Sequence, residues 1–267
     1  MSKLKIKHPV IRYHGGKFRL AKWILSYFPE HRCYVEPYGG AASILVQKMP
    51  SYAEVYNDLD GEVVNLFRVL RDKQLNEALQ EACYLTPYSR EEFELAYKKT
   101  DDLLERARRM VVRATMGFGS ASGTGGTSGF RSDSKRKYAT ASHLWAKYPQ
   151  NLGAICERLQ GVIIENKPAI DLIKQHDGAD TLFYIDPPYL METRVAGNRY
   201  YNFEMVDEQH LQLLQTLKSV SGKVVISGYN SDLYNDELSG WRKVTKEARI
   251  SAGRGTGIRT ECLWMNY

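Results

Sequence analysis

The stretch that most limits the fold is Thr181-Leu182-Phe183-Tyr184-Ile185-Asp186-Pro187-Pro188-Tyr189. Leu182 to Ile185 is a compact apolar run rich in β-formers, which predicts a buried strand. Two consecutive prolines donate no backbone N–H, so the strand must stop at Asp186. A residue that precedes proline is also held extended. The chain therefore carries a carboxylate at the carboxyl end of a buried strand, followed by stiff backbone with free carbonyl acceptors and then an aromatic face. That set suits a planar ring bearing an exocyclic amine. Asp186 and the Pro187 carbonyl can each accept one amine N–H, and Tyr189 can stack on the ring. Two acceptors out of the ring plane would pull the nitrogen toward tetrahedral geometry and localise its lone pair. Taken alone, the tetrapeptide fits equally well a strand end, a proline turn and a surface tyrosine.

The flanking segments favour the chemical reading. Cys33-Tyr34-Val35-Glu36 reads as a strand and Pro37-Tyr38-Gly39-Gly40 as a glycine-rich turn, with a helix expected through Ile44, Leu45 and Met49. This order opens a βαβ nucleotide-binding unit, in which Gly39 and Gly40 let a ligand approach the backbone. The full dinucleotide fingerprint is absent, which argues against a pyrophosphate ligand. Ala53 to Asn57 reads as a second strand. Asp58 follows it, 22 residues after Glu36, about where an acid that grips ribose hydroxyls is expected. Upstream, Tyr13-His14-Gly15-Gly16-Lys17 is a tight glycine turn carrying Tyr13 and Lys17 toward the same end, with His14 expected at the surface. It is not a phosphate loop, because Phe18 stands where Ser or Thr should follow the lysine.

From Gly61 to about Arg158 helical patterns interrupt the α/β alternation. The division expected is a discontinuous catalytic domain, residues 1–60 and 160–267, with a helical insertion at 61–159. Within the insertion, 117–134 is a Gly/Ser-rich loop expected to be mobile when alone. Strand patterns resume at Val162–Asn166 and Val224–Ser227. Two further strands, Trp241–Ile250 and Ile258–Asn266, predict an antiparallel hairpin. The loop after Tyr189, from Met191 to Phe203, is placed to act as a lid beyond the strand ends.

With 267 residues and 43% hydrophobic content the chain can build a large core. The scattered cysteines, Cys33, Cys83, Cys156 and Cys262, suggest neither a zinc site nor a disulfide framework. No apolar run approaches a membrane span. Charge is more telling. Between Leu104 and Lys137 there are eight basic residues (Arg106, Arg108, Arg109, Arg113, Arg131, Lys135, Arg136, Lys137) against two acidic ones. That surplus equals the +6 of the whole chain. A concentrated basic patch is the expected footprint of a nucleic-acid binder. The candidate DNA contacts are Arg113, Arg131, Lys135, Arg136 and Lys137, joined by Arg199 and Tyr200 of the lid.

These segments, in this order, resemble the D12-class (Dam-like) DNA adenine-N6 methyltransferases. Tyr13-His14-Gly15-Gly16-Lys17 is similar to the family's amino-terminal cofactor motif, and Val35 to Gly40 to its first glycine motif. Asn57-Asp58 is similar to its acidic motif and Asp186-Pro187-Pro188-Tyr189 to its catalytic tetrapeptide. Glu261 to Asn266 looks like its closing strand. The resemblance implies an α/β fold, a Rossmann-like mixed sheet with an inserted, mainly helical target-recognition domain. It implies S-adenosylmethionine as methyl donor, contacted by Tyr13, Lys17, Asp58 and Asp186, with Glu36, Gly39 and Gly40 in the same site. It implies a flipped-out adenine in double-stranded DNA as acceptor, worked on by Asp186, Pro187 and Tyr189 without a metal. A bacterial or phage-infected cytoplasm and a cognate restriction endonuclease as partner fit the same picture. Competing readings are the same chemistry on cytosine N4, RNA adenine or a glutamine amide, and a non-catalytic DNA-binding module on this scaffold.

Overall fold

The computed structural model describes residues 6, 8–119, 123, 126–135, 139–194, 200–252 and 255–267, with backbone alone at 249–252 and 255–256. Seven strands form one sheet: β1 (Cys33–Glu36), β2 (Ala53–Asn57), β3 (Val162–Glu165), β4 (Thr181–Ile185), β5 (Lys223–Tyr229), β6 (Arg242–Ala252) and β7 (Gly255–Met265). Their spatial order is β3-β2-β1-β4-β5-β7-β6. The first five pair in parallel, whereas β7 runs antiparallel to both β5 and β6. This is the mixed Rossmann-like sheet that the sequence predicts. The chain winds outward from β1 in one direction through β2 and β3, then returns to β4 and winds the other way. The switch point therefore lies between the carboxyl ends of β1 and β4, where open α/β sheets bind their ligands.

The two-residue period of the central strands divides the core. Tyr34, Tyr56, Leu182, Tyr184 and Val225 face one side, while Val35, Val55, Phe183, Ile185, Val224 and Ile226 face the other. The second side is covered by α8 (Ala169–Gln175), α9 (Asp207–Ser219) and α10 (Asp232–Glu237) through Leu172, Ile173, Leu213, Leu214, Leu217 and Tyr234. The first side receives α1 (Ala21–Leu25) and the block between β2 and β3. That block comprises α2 (Gly61–Arg71), α3 (Lys73–Leu85), α4 (Arg90–Leu95), α5 (Leu103–Met116), α6 (Ala141–Lys147) and α7 (Leu152–Leu159). Its helices begin where the sequence supplies caps. The carboxylates of Asp60, Asp72 and Asp102 accept from the first turns of α2, α3 and α5, and the Ser89 and Thr140 hydroxyls do so for α4 and α6. Leu66, Phe67, Val111 and Trp145 belong to the same apolar cluster as Tyr34 and Tyr184. The core thus runs from the sheet into the helical block without a break.

Two local expectations change. Residues 41–48 form successive turns, with no α-helix assigned. Gly40 and Ala42 take φ of +48° and +51°, left-handed backbone that cannot open a right-handed helix. The final hairpin is longer than its loop suggests, since β6 reaches Ala252 and β7 starts at Gly255. The glycine-rich loop is pinned at its base. Gly117 and Phe130 form an antiparallel bridge, Phe118 N donates to the Gly129 carbonyl at 2.8 Å, and the Phe130 ring packs on Tyr88 at 5.1 Å.

Candidate active site

Asp186 sits where β4 ends, beside the switch point, with its side chain 17% exposed. Ser227 of β5 is its neighbour because Ile185 pairs with Ile226 in register. The Ser227 hydroxyl donates to Asp186 Oδ1 at 2.8 Å, and Lys17 Nζ reaches the same oxygen at 3.0 Å. Among the described residues nothing bonds Asp186 Oδ2. Lys17 is 5% exposed, donates to the Gly15 carbonyl at 2.8 Å, and lies 3.7 Å from Glu261 Oε1. Burial works against its charge, but Asp186 and Glu261 outweigh burial and hold the ammonium above its ordinary range. The Tyr189 hydroxyl donates to Glu261 Oε1. Its ring lies 4.6 Å from Lys17 Nζ and meets Tyr229 edge-on at 4.7 Å. Burial, reinforced by Glu261 and Asp186, keeps that phenol protonated.

A cleft of about 280 Å³ opens at the carboxyl ends of β1, β2 and β4. Its walls include Tyr13, Lys17, Glu36, Gly39, Gly40, Asp58 and Asp186, so the structure gathers all seven residues expected around the donor. Pro187 is buried and Tyr189 half-buried, and neither is part of the cleft wall. The glycine turn is clamped from β2. The Gly40 N–H donates to Asp58 Oδ2 at 2.8 Å, the Tyr56 hydroxyl donates to the Gly40 carbonyl at 2.6 Å, and Asp60 N donates to Asp58 Oδ1 at 2.8 Å. The Leu59 N–H also donates to this carboxylate, which still has acceptor capacity for a ligand hydroxyl. Burial lifts the Asp58 carboxyl to about 6. A Cβ on Gly39 would stand 2.1 Å from the Tyr56 ring, so only glycine lets the turn lie this close. Glu36 Oε2 accepts from the Tyr34 hydroxyl at 2.9 Å and from Leu45 N at 3.1 Å, which fixes the turns after Gly40. Burial raises Glu36 to about 8.

The cleft is closed on one side by residues 201–205. Glu204 Oε1 accepts from Tyr200 N at 2.6 Å and Tyr201 N at 3.0 Å, and its other oxygen pairs with Arg194 at 2.7 Å. Asn202 Nδ2 ties this segment to Asp60 at 2.7 Å. His14 is a correction: it is half-buried, with its ring stacked on Tyr200 at 3.9 Å. Burial, aided by Arg194 and Lys17, lowers it to about 4, so it is neutral at physiological pH. Among the described residues no group of three or more His, Cys, Asp or Glu side chains could hold a metal ion. Among the same residues no helix is long and apolar enough to cross a membrane.

The family model for D12 class N6 adenine-specific DNA methyltransferases matches residues 13–252, from the turn at Tyr13 into the final hairpin. The chain belongs to this family. It is also 36% identical over 73 residues to a DNA adenine methylase of Haemophilus influenzae, a match covering 26% of this chain and 24% of that protein. The chain thus spans about a quarter of that relative's length in the matched region. Two solved structures of the rRNA methyltransferase AviRa from Streptomyces viridochromogenes overlap it with TM-scores of 0.40 and 0.42. Identities are 13% and 14%, and each overlap covers 99% of this chain and 92% of the other.

For a member of a DNA methyltransferase family, the basic residues of the helical block need correction. Arg106 pairs with Glu62 at 2.7 Å, Arg108 with Glu92 at 2.8 Å and Glu105 at 2.6 Å, and Arg109 with Glu105 at 2.7 Å. Three of the eight cations are therefore spent on ion pairs within the helical block. Arg131 is 6% exposed, and its Nη1 faces the Thr115 carbonyl at 3.5 Å. Its backbone closes the base of the glycine loop, which turns the side chain inward rather than toward a phosphate. Arg113 is half-buried against the Ala96 carbonyl and the Tyr97 ring. Burial also lowers its guanidinium from the ordinary value. Lys135 is exposed, and Tyr200 is held by His14. Arg136, Lys137 and Arg199 lie outside the described residues. Sequence reading missed Tyr56, Ser227, Asn202 and Glu261 as site residues. Ser227 was reachable, because a strand beside β4 in parallel register must set one residue next to Asp186.

Proposed function

We propose that the protein transfers the methyl group of S-adenosylmethionine to N6 of an adenine turned out of double-stranded DNA. The observation that carries the reading is the position of Asp186: its carboxylate borders the cleft at the switch point and leaves Oδ2 open to an amine. The cleft residues fit the donor. Gly39 and Gly40 let the turn lie against the Tyr56 and Tyr13 rings, where a Cβ would clash, and so keep backbone in the cleft wall, and Tyr13 offers an aromatic wall to a sulfonium. Buried Ser43 Oγ has no partner among the described residues. Tyr13, Lys17, Glu36, Gly39, Gly40, Asp58 and Asp186 would hold the donor, with Asp58 accepting from its ribose hydroxyls. When bound, the donor supplies a methyl group made electrophilic by the sulfonium.

The chain's own residues prepare the acceptor. Turning the base out costs a few kcal/mol of unstacking and unpairing. Tyr189 receives the extruded ring by stacking. Asp186 Oδ2 and the Pro187 carbonyl each accept one amine N–H, which draws the nitrogen lone pair out of conjugation and points it along the transfer axis. The proton that N6 sheds as it gains the methyl leaves along its hydrogen bond to Asp186 Oδ2 and passes to solvent, and rate comes chiefly from orientation rather than from a strong base. The helical block, residues 61–159, would carry target recognition. Lys135, Arg136 and Lys137 are its candidate phosphate contacts, joined by Arg199 of the lid, and Arg113 and Arg131 mainly shape it. The setting proposed is a bacterial or phage-infected cytoplasm, with a cognate restriction endonuclease as a partner to look for.

Asp186→Ala tests the reading. Transfer of isotopically labelled methyl to DNA should fall below detection, while calorimetric binding of DNA stays within several-fold of wild type. An Asp186→Ala protein that transfers methyl at the wild-type rate would falsify it.

A further inference from the structure

Glu261 lies on β7, opposite Tyr229 of β5 in register, and is 3% exposed. A buried carboxylate is costly unless charged or polar donors meet it. Here both donors come from the catalytic corner, not from the strands around it. The Tyr189 hydroxyl donates to Oε1, and Lys17 Nζ stands 3.7 Å from the same oxygen while bonded to Asp186 at 3.0 Å. One side chain on the antiparallel strand therefore reaches the aromatic ring that follows the two prolines and the cation that pairs with the catalytic acid. The Tyr189 ring is further boxed by Tyr229 at 4.7 Å and by Lys17 at 4.6 Å. A ring tied at its hydroxyl, with Lys17 over one face and Tyr229 packed at 74° to it, is fixed in orientation. When the Asp186 carboxylate turns to an incoming amine, Glu261 stays beside Lys17 as a second counter-charge.

We propose that Glu261 is a positioning residue that fixes the Tyr189 ring for stacking of the target base and shares Lys17 with Asp186. The inference rests on the methyl-transfer reading above. It makes β7 part of the acceptor site, although this strand carries no group that touches the reacting atoms. It also gives the antiparallel insertion of β7 beside β5 a purpose beyond closing the sheet.

The test is a double-variant cycle with Glu261→Gln and Tyr189→Phe, both close to the native volume. Each single change weakens or removes one charge-assisted hydrogen bond, and each should lower kcat by about tenfold, with KM for S-adenosylmethionine changed far less in Tyr189→Phe. The double variant should be no slower than the slower single one, because both changes cut the same tether. Hydrogen exchange over residues 186–190 should be faster in both single variants. Losses that multiply in the double variant, a Glu261→Gln protein with wild-type kcat, or unchanged exchange at 186–190 would each overturn the assignment. A wild-type protein that methylates nothing sinks the methyl-transfer reading instead, and the exchange measurement then still decides whether Glu261 holds Tyr189.

Discussion

Replacing Lys17 by methionine asks whether the corner around Asp186 is held by charge. Lys17 Nζ lies 3.0 Å from Asp186 and 3.7 Å from Glu261, and its side chain is 6% exposed. Methionine keeps the aliphatic stem and removes the ammonium. Two carboxylates are then left together where their side chains are 17% and 5% exposed. Breaking a buried pair from one side costs about 3–5 kcal/mol, and the partial exposure of Asp186 reduces the expectation to about 2–4 kcal/mol at pH 8. The loss depends on pH. Burial raises Glu261 above the ordinary carboxylate range, while Lys17 pulls it down. Without Lys17 it rises further. An acid whose folded pKa exceeds its unfolded value of roughly 4.3 binds more protons when folded, so stability falls as pH rises through that interval. Glu36, lifted to about 8, and Asp58, lifted to about 6, give the wild type a slope of the same sign. The quantity to read is therefore the difference between variant and wild type in urea denaturation. It should be largest at pH 8 and smaller by about 1 kcal/mol or more at pH 5.5. Adding Glu261→Gln to Lys17→Met should restore part of the loss at pH 8. A difference below about 1 kcal/mol, or one equal at both pH values, would refute the reasoning.

Three further outcomes follow from the same geometry. Gly39→Ala would drive a Cβ to 2.1 Å from a Tyr56 ring that is stacked on Phe67 at 4.3 Å and fixed by its hydroxyl. It should cost about 1–3 kcal/mol in thermal denaturation and weaken S-adenosylmethionine binding by calorimetry, and unchanged binding counts against the turn as part of the donor site. Asp58, lifted to about 6, loses its charge as pH falls from 7.5 to 5.5. Wild-type donor affinity should drop by about three- to tenfold over that range, whereas Asp58→Asn should bind weakly and evenly across it. Lys135→Ala should leave the melting temperature unchanged and reduce the salt slope of DNA binding by about 1, while Arg131→Ala should lower the melting temperature and spare the slope.

The sheet was legible because its strands are short, apolar and punctuated. Asp186-Pro187-Pro188 ends β4 where two missing N–H groups require, and Gly39 and Asp58 fall just past strand ends in the wall of the same cleft. Local pattern misled where a few residues decide the backbone. Leu45 and Met49 have helical spacing, but Gly40 and Ala42 turn the chain left-handed first. Long-range pairing was invisible for a different reason. Arg106 and Glu62 are 44 positions apart, and only packing of α2 on α5 brings them together. A charge surplus counted along the chain therefore overstated what remains for a phosphate backbone. Glu261 was hidden in the same way. On its strand it alternates like any inward residue, and its partners, Lys17 and Tyr189, belong to segments far away in sequence.

The central claim is that the Asp186 corner presents an extruded adenine's amino group to a methyl donor in the adjoining cleft. Nucleoside mass spectrometry of double-stranded DNA incubated with the wild-type protein and methyl-labelled S-adenosylmethionine tests this directly. The account predicts label in N6-methyladenine, absent from DNA treated with the Asp186→Ala protein. Label in 4-methylcytosine, or no label in DNA while the donor binds, would contradict it.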